Sequence, residues 1–123
     1  MGSTYKDLKV WQKAIELARE VYKLTACFPT EEKYGLCSQL RRAAISISAN
    51  LAEGQGRGTR RDYTHFVSIA LGSAREVESL LIVSIELGIA SPADASDCNS
   101  LTDEIGRMLY SLRSRLLENS KSV

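Results

Sequence analysis

Apolar residues return along this chain at steps of three, four and seven, and no run alternates apolar with polar. That period is the turn of an α-helix with one face in a core. It predicts four helices, over residues 7–27, 33–53, 60–87 and 92–118. In the first, Leu8, Trp11, Ile15, Ala18 and Tyr22 form one stripe, and Val10, Leu17 and Leu24 form a second. A helix with two such stripes is expected to touch neighbours on two sides. In the second, Leu36, Leu40, Ala43, Ile47 and Leu51 share one narrow arc. Ile45 points the opposite way, and Ser38, Ser46 and Ala49 lie on that outer half. The third carries Tyr63, Phe66, Ala70, Ala74, Val77, Leu81 and Ser84, and the fourth Cys98, Leu101, Ile105, Met108, Leu112 and Leu116, widened by Leu109. Gly72 sits inside the third helix, where glycine costs about 1 kcal/mol relative to alanine. It is expected where another backbone passes closely.

The punctuation agrees with four rods. Pro29 after Phe28 ends the first. Glu31 and Glu32 favour the start of the second, because a helix N-terminus carries partial positive charge. Gly54 is placed as the cap that ends it. Thr59 is the expected N-cap of the third, with Asp62 in its first turn, and Gly88 its stop. Ser91, Pro92 and Asp94 open the fourth, and Ser120 to Val123 are expected to fray. Helices joined by short links pack as antiparallel neighbours. The expected architecture is therefore all-α, a single domain spanning residues 1–123, as an up-down-up-down four-helix bundle.

Composition narrows the class. At 123 residues, 44% hydrophobic and 25% charged, the chain suits one soluble core that hides roughly two-thirds of its unfolded surface. No segment reaches the 18 or so apolar residues of a membrane span, and no leader is apparent, so a cytoplasmic location is expected. Cys27, Cys37 and Cys98 are widely spaced with no CxxC pair, and His65 is the sole imidazole. A zinc site cannot be completed from them. Free thiols are expected, with no metal and no cofactor. His65 lies off the core stripe and reads as solvent-facing. One histidine supports no Ser-His-Asp set, and the acids lack the Glu-x-x-His spacing of a di-iron bundle. No enzymatic activity is expected.

The net charge is only +1, but residues 1–61 carry +5 and residues 62–123 carry −4. Such asymmetry marks either an anionic partner or a basic face of one copy meeting the acidic face of another. The stretch Gln39 to Arg61 concentrates the question. Arg41, Arg42, Arg57, Arg60 and Arg61 fall within 21 residues with no lysine among them. Arginine forks suit bidentate binding of phosphate or carboxylate. Arg41 and Arg42 cannot point the same way; one can anchor a structural ion pair, for instance with Glu53, while the other faces solvent. Gly54, Gly56 and Gly58 lack the preceding strand of a dinucleotide loop and the Lys-Ser/Thr pair of a P-loop. They read either as a helix stop with a flexible link, or as backbone amides that receive a phosphate beside the third helix. Aromatic residues nearby are few, so nucleic-acid binding is expected to use backbone contacts without strong sequence reading. Ser38, Ile45, Ser46 and Ala49 are the candidates for contact with a second copy.

The run Tyr5-Lys6-Asp7-Leu8-Lys9-Val10-Trp11-Gln12-Lys13-Ala14, the run Gln39 to Ile47 followed by Asn50-Leu51-Ala52-Glu53-Gly54 and Arg57, and the pattern Tyr63, Phe66, Ile69-Ala70, Gly72-Ser73 and Glu76-Val77-Glu78 together resemble one family. These are the bacterial four-helix-bundle proteins encoded within intervening sequences of 23S ribosomal RNA genes, also called S23 ribosomal proteins. The chain is similar as well to the accessory protein of diversity-generating retroelements. The resemblance covers nearly all of the first three helices. It implies a small cytoplasmic bundle that assembles into a homopentameric ring, without catalytic residues, and a basic surface offered to nucleic acid or to a protein partner. Two expectations follow: a self-assembling module that binds RNA or DNA through its arginines, or a protein-interaction scaffold with no direct nucleic-acid contact.

Overall fold

The computed structural model describes residues 4–121, with side chains through residue 118. The chain forms four α-helices: α1 (Lys9–Thr25), α2 (Leu36–Gly56), α3 (Arg60–Glu86) and α4 (Ser96–Lys121). Short 3-10 turns at Tyr5–Asp7 and Thr30–Glu32 lead into α1 and α2. The described residues contain no strand. Each helix packs against the next in the chain, and α1 closes the ring against α4; the diagonal pairs do not approach one another. With short links between neighbours, this order fits the up-down-up-down bundle. One end then gathers the start of α1, the α2–α3 link and the last turns of α4. The opposite end gathers the α1–α2 link, the end of α3 and the start of α4.

The helix boundaries have local causes. The chain enters α1 from a turn in which the Thr4 backbone N–H donates to Asp7 Oδ2 at 3.1 Å and the Lys6 N–H donates to Thr4 Oγ1 at 3.2 Å. Thr59 Oγ1 accepts the Asp62 N–H at 3.2 Å and caps α3 as expected. Gly88, at φ +72°, stops α3 in the left-handed region that suits glycine. Ser91 Oγ accepts the Asp94 N–H at 3.0 Å, but residues 92–95 only turn, and regular α4 starts at Ser96. Helix α4 runs through Lys121; Ser122 and Val123, the end of the stretch expected to fray, lie outside the described residues.

Gly54 corrects the expected end of α2. It is buried within the helix, which continues to Gly56. A Cβ placed on Gly54 would lie 2.6 Å from Phe66 Cβ, so glycine is there to let α2 and α3 approach. The left-handed break comes at Gly58, φ +85°. Gly72 corrects in the opposite sense. It is exposed, and a Cβ there would meet nothing within 4 Å; no backbone passes it.

The core confirms the α2 arc: Leu36, Leu40, Ala43, Ile47 and Leu51 are all buried. In α1 the second, thinner stripe wins. Val10, Leu17 and Leu24 are buried together with Ala14 and Val21. Leu8, Trp11, Ile15 and Ala18 are half-buried, and Tyr22 is exposed. Val67, Ala70, Ala74, Val77 and Leu81 of α3 meet Cys98, Leu101, Ile105 and Leu109 of α4 in the same cluster. Three buried hydroxyls return to their own helix: Thr25 Oγ1 donates to the Val21 carbonyl at 2.7 Å, Ser84 to Leu80 at 2.8 Å and Thr102 to Cys98 at 2.6 Å.

Candidate nucleic-acid interface

The five arginines divide between the two ends of α2. Fifteen residues separate Arg42 from Arg57, about 22 Å of helix, so they form no single cluster. At the α1–α2 end, Arg41 is spoken for. Its Nε donates to Thr25 Oγ1 at 2.8 Å, one terminal nitrogen reaches the Tyr22 carbonyl at 3.4 Å, and its guanidinium lies 4.3 Å from the Tyr22 ring centre. It ties α2 to the carbonyl end of α1, where a cation is electrostatically favoured. Arg42 is exposed and donates to Ser38 Oγ at 2.9 Å. Glu53, considered as its partner, instead accepts from Arg57 Nε at 2.9 Å.

The opposite end is the richer one. Arg57, paired with Glu53, lies 5.1 Å from the Phe66 ring centre. Arg60 and Arg61, the first two residues of α3, are exposed and make no ion pair among the described residues. Gly54, Gly58, Thr59, Arg60, Tyr63 and Leu116 line a cavity of about 390 Å³ that joins the ends of α2 and α4 to the start of α3. The Tyr63 hydroxyl is pushed up from its ordinary value by burial, and the Arg115 guanidinium opposes that shift. Arg115 and Lys9 of the first α1 turn line an adjoining groove, and neither is ion-paired among the described residues. Lys9 and Arg115 escape a reading confined to residues 39–61. Their signal was the antiparallel order itself, which returns the first turn of α1 and the last turns of α4 to the α2–α3 link.

Two arginines at N1 and N2 of a 27-residue helix oppose its dipole. Each unfavourable placement costs about 0.3–1 kcal/mol at low salt, and Asp62 is the one acid in that turn. An anion docked at the tip would remove the repulsion.

The candidate self-contact residues also separate. Ile45 and Ala49 are exposed, and Ser38 is half-buried. Ser46 does not face outward: its hydroxyl lies 2.8 Å from Ser73 Oγ of α3, and Asn50 Nδ2 donates to it at 3.0 Å. The α2–α3 seam uses it. His65 is exposed, as expected. The described residues hold no group of three potential metal ligands, no disulfide, and no helix long and apolar enough to cross a membrane.

A solved structure is similar over most of both chains: the crystal structure of a protein with unknown function from the S23 ribosomal protein family of Bacteroides thetaiotaomicron VPI-5482. It is 28% identical, covers 85% of this chain and 97% of its own, and superposes with a TM-score of 0.78. Among curated proteins no match was found. The family profile described as 23S rRNA-intervening sequence protein matches residues 6–111, the span from the α1 capping turn to the middle of α4. The chain therefore belongs to the 23S rRNA-intervening sequence protein family, and its fold is the one found in an S23 relative.

Proposed function

We propose that this protein is a non-enzymatic, self-assembling bundle that binds structured RNA, alone or within an RNA–protein complex, through the basic end formed by Arg57, Arg60, Arg61, Lys9 and Arg115. One observation carries the nucleic-acid reading. Among the described residues, Arg60 and Arg61 make no ion pair at the positive end of α3, a placement that weakens the free protein and that bound phosphate would repay. Binding through phosphates releases counterions. Four contacts per subunit should lower affinity roughly 50- to 150-fold between 50 and 200 mM salt. Electrophoretic or anisotropy titration with a structured RNA across that range tests this, and absent or salt-independent binding refutes it.

Self-assembly rests on the distribution of charge and apolar surface. The α1–α2 half, through Thr59, carries +3 and the α3–α4 half, from Arg60, carries −2, and the packing order places them on opposite sides of the bundle. Tyr22 and Ile45 are exposed on the first side; Ile82 and Val83 of α3, and Leu87 just past its end, are exposed on the second. Unlike sides that complement each other favour a head-to-tail contact, which closes into a ring when the rotation permits. A homopentamer is the closure proposed. The competing reading, a scaffold without nucleic-acid contact, keeps the ring and predicts no RNA affinity at any salt. Exposure of Tyr34 and Ile45 beside Arg42 is what favours it.

A further inference from the structure

Between the first turn of α1 and the second half of α4 lies a groove of about 410 Å³. Its floor is aliphatic: Leu8, Val10, Met108 and Leu112. Its rim is cationic: Lys9, Arg107 and Arg115. Arg107 is held by Asp103 at 2.9 Å, which leaves Lys9 and Arg115 as the rim charges without an ion pair among the described residues. We infer that this groove takes an acidic amphipathic helix from a partner protein.

Charge and shape select that occupant. A phosphodiester strand would satisfy the rim but would desolvate against four aliphatic side chains that give it nothing back. A neutral apolar segment would fill the floor and leave two guanidinium or ammonium groups uncompensated. A helix with apolar anchors at i, i+3 or i+4 and i+7, flanked by Glu or Asp, meets both. From Arg107 to Arg115 the α4 wall is eight residues, about 12 Å, and three such anchors span about 10 Å. The carboxylates steer the encounter and fix register, while the buried anchors supply most of the affinity. The α1–α4 side is neither of the two sides argued above to meet in a ring, but its rim shares Lys9 and Arg115 with the basic end proposed for RNA. The two readings therefore compete for this rim, and the response of Met108 in the groove floor to peptide or to RNA tells them apart.

Met1 and Met108 are the two methionines of the chain, so methyl-¹³C-methionine labelling of the full-length protein places one reporter in the groove floor. The probe is a synthetic 14-residue helical peptide with leucines at i, i+4 and i+7 and glutamates beside them. The Met108 methyl resonance should shift saturably with this peptide. The double variant Lys9→Glu/Arg115→Glu should bind it at least tenfold more weakly, and a peptide with lysine in place of glutamate should recover binding to that variant. Both positions are exposed, so the fold tolerates the change. Four results overturn the inference: a resonance unmoved at millimolar peptide, equal affinity for a glutamine-substituted peptide, a shift produced by RNA in its place, or a shift with protein concentration alone, which would assign the groove to a second copy.

Discussion

Replacing Gly54 with alanine inserts one methyl group into the tightest approach in the bundle. The new Cβ would lie 2.6 Å from Phe66 Cβ and 3.4 Å from Tyr63 Cδ1. Carbon atoms at rest sit about 3.5–4.0 Å apart, so α2 and α3 must part by about 1 Å. Phe66 Cβ is bonded to the α3 backbone and cannot swing away as a side-chain tip could. Overpacking of this kind costs about 1–3 kcal/mol. Alanine returns about 0.5–1 kcal/mol of helix propensity in the last turns of α2. The net is a loss of about 1–2 kcal/mol, which for a chain of this size lowers Tm by about 4–8 °C. Gly72→Ala is the matched control. It too is a helical glycine, but its Cβ enters open space, so it should gain up to about 1 kcal/mol and raise Tm by about 3–4 °C. Far-UV circular dichroism during heating and in urea, at one fixed protein concentration, reads both. A Gly54→Ala protein as stable as its parent would refute the close approach. A destabilised Gly72→Ala protein would refute the open face and place another copy against it.

Four further outcomes follow from the geometry. Arg60→Glu/Arg61→Glu should stabilise the free protein by about 1 kcal/mol at low salt while abolishing RNA binding; stability and affinity falling together would count against the strained tip. Arg41→Ala should cost about 1.5–3 kcal/mol in urea unfolding, because it removes charged hydrogen bonds to Thr25 and the α1 carbonyl end, with RNA affinity unchanged. Ile45→Asp should reduce the sedimentation coefficient to that of a single subunit, and an unchanged profile would exclude this face from assembly. Burial, with Glu20 and Asp97 adding to it, pushes the Cys98 thiol up to about 11. The unfolded thiol ionises first as pH rises, so this contribution is intact below the ordinary thiol value and is lost as pH climbs to about 11. Urea midpoints at pH 8 and 10.5 should therefore fall more in the parent than in Cys98→Ala.

The apolar period located all four helices and the α2 core arc, because period 3.6 fixes angles between side chains on one rod. It could not choose between two arcs on the same rod. In α1 the arc with Trp11 and Tyr22 offers more apolar surface, yet the arc with Ala14 and Val21 enters the core, since small residues suit the close flanks of a bundle. Gly54 carries a related ambiguity: glycine serves equally as a helix stop and as a gap for a neighbour, and only Phe66 across the seam decides. The arginines were legible as a group but not as a site. Fifteen residues along one helix separate them, while Lys9 and Arg115, far away in sequence, join them at the tip.

The seam between α2 and α3 is pinned twice, by the Ser46–Ser73 hydroxyl contact and by Phe66 against Gly54. Eight residues separate the two pins along α2, about 12 Å. One dowel lets a joint pivot; two hold it square. A slip by one turn would orphan both hydroxyls and drive a helix backbone into a phenylalanine at once. These two helices must therefore travel as a single plank, and a load applied at the arginine tip will be felt at the far end as tilt, never as sliding.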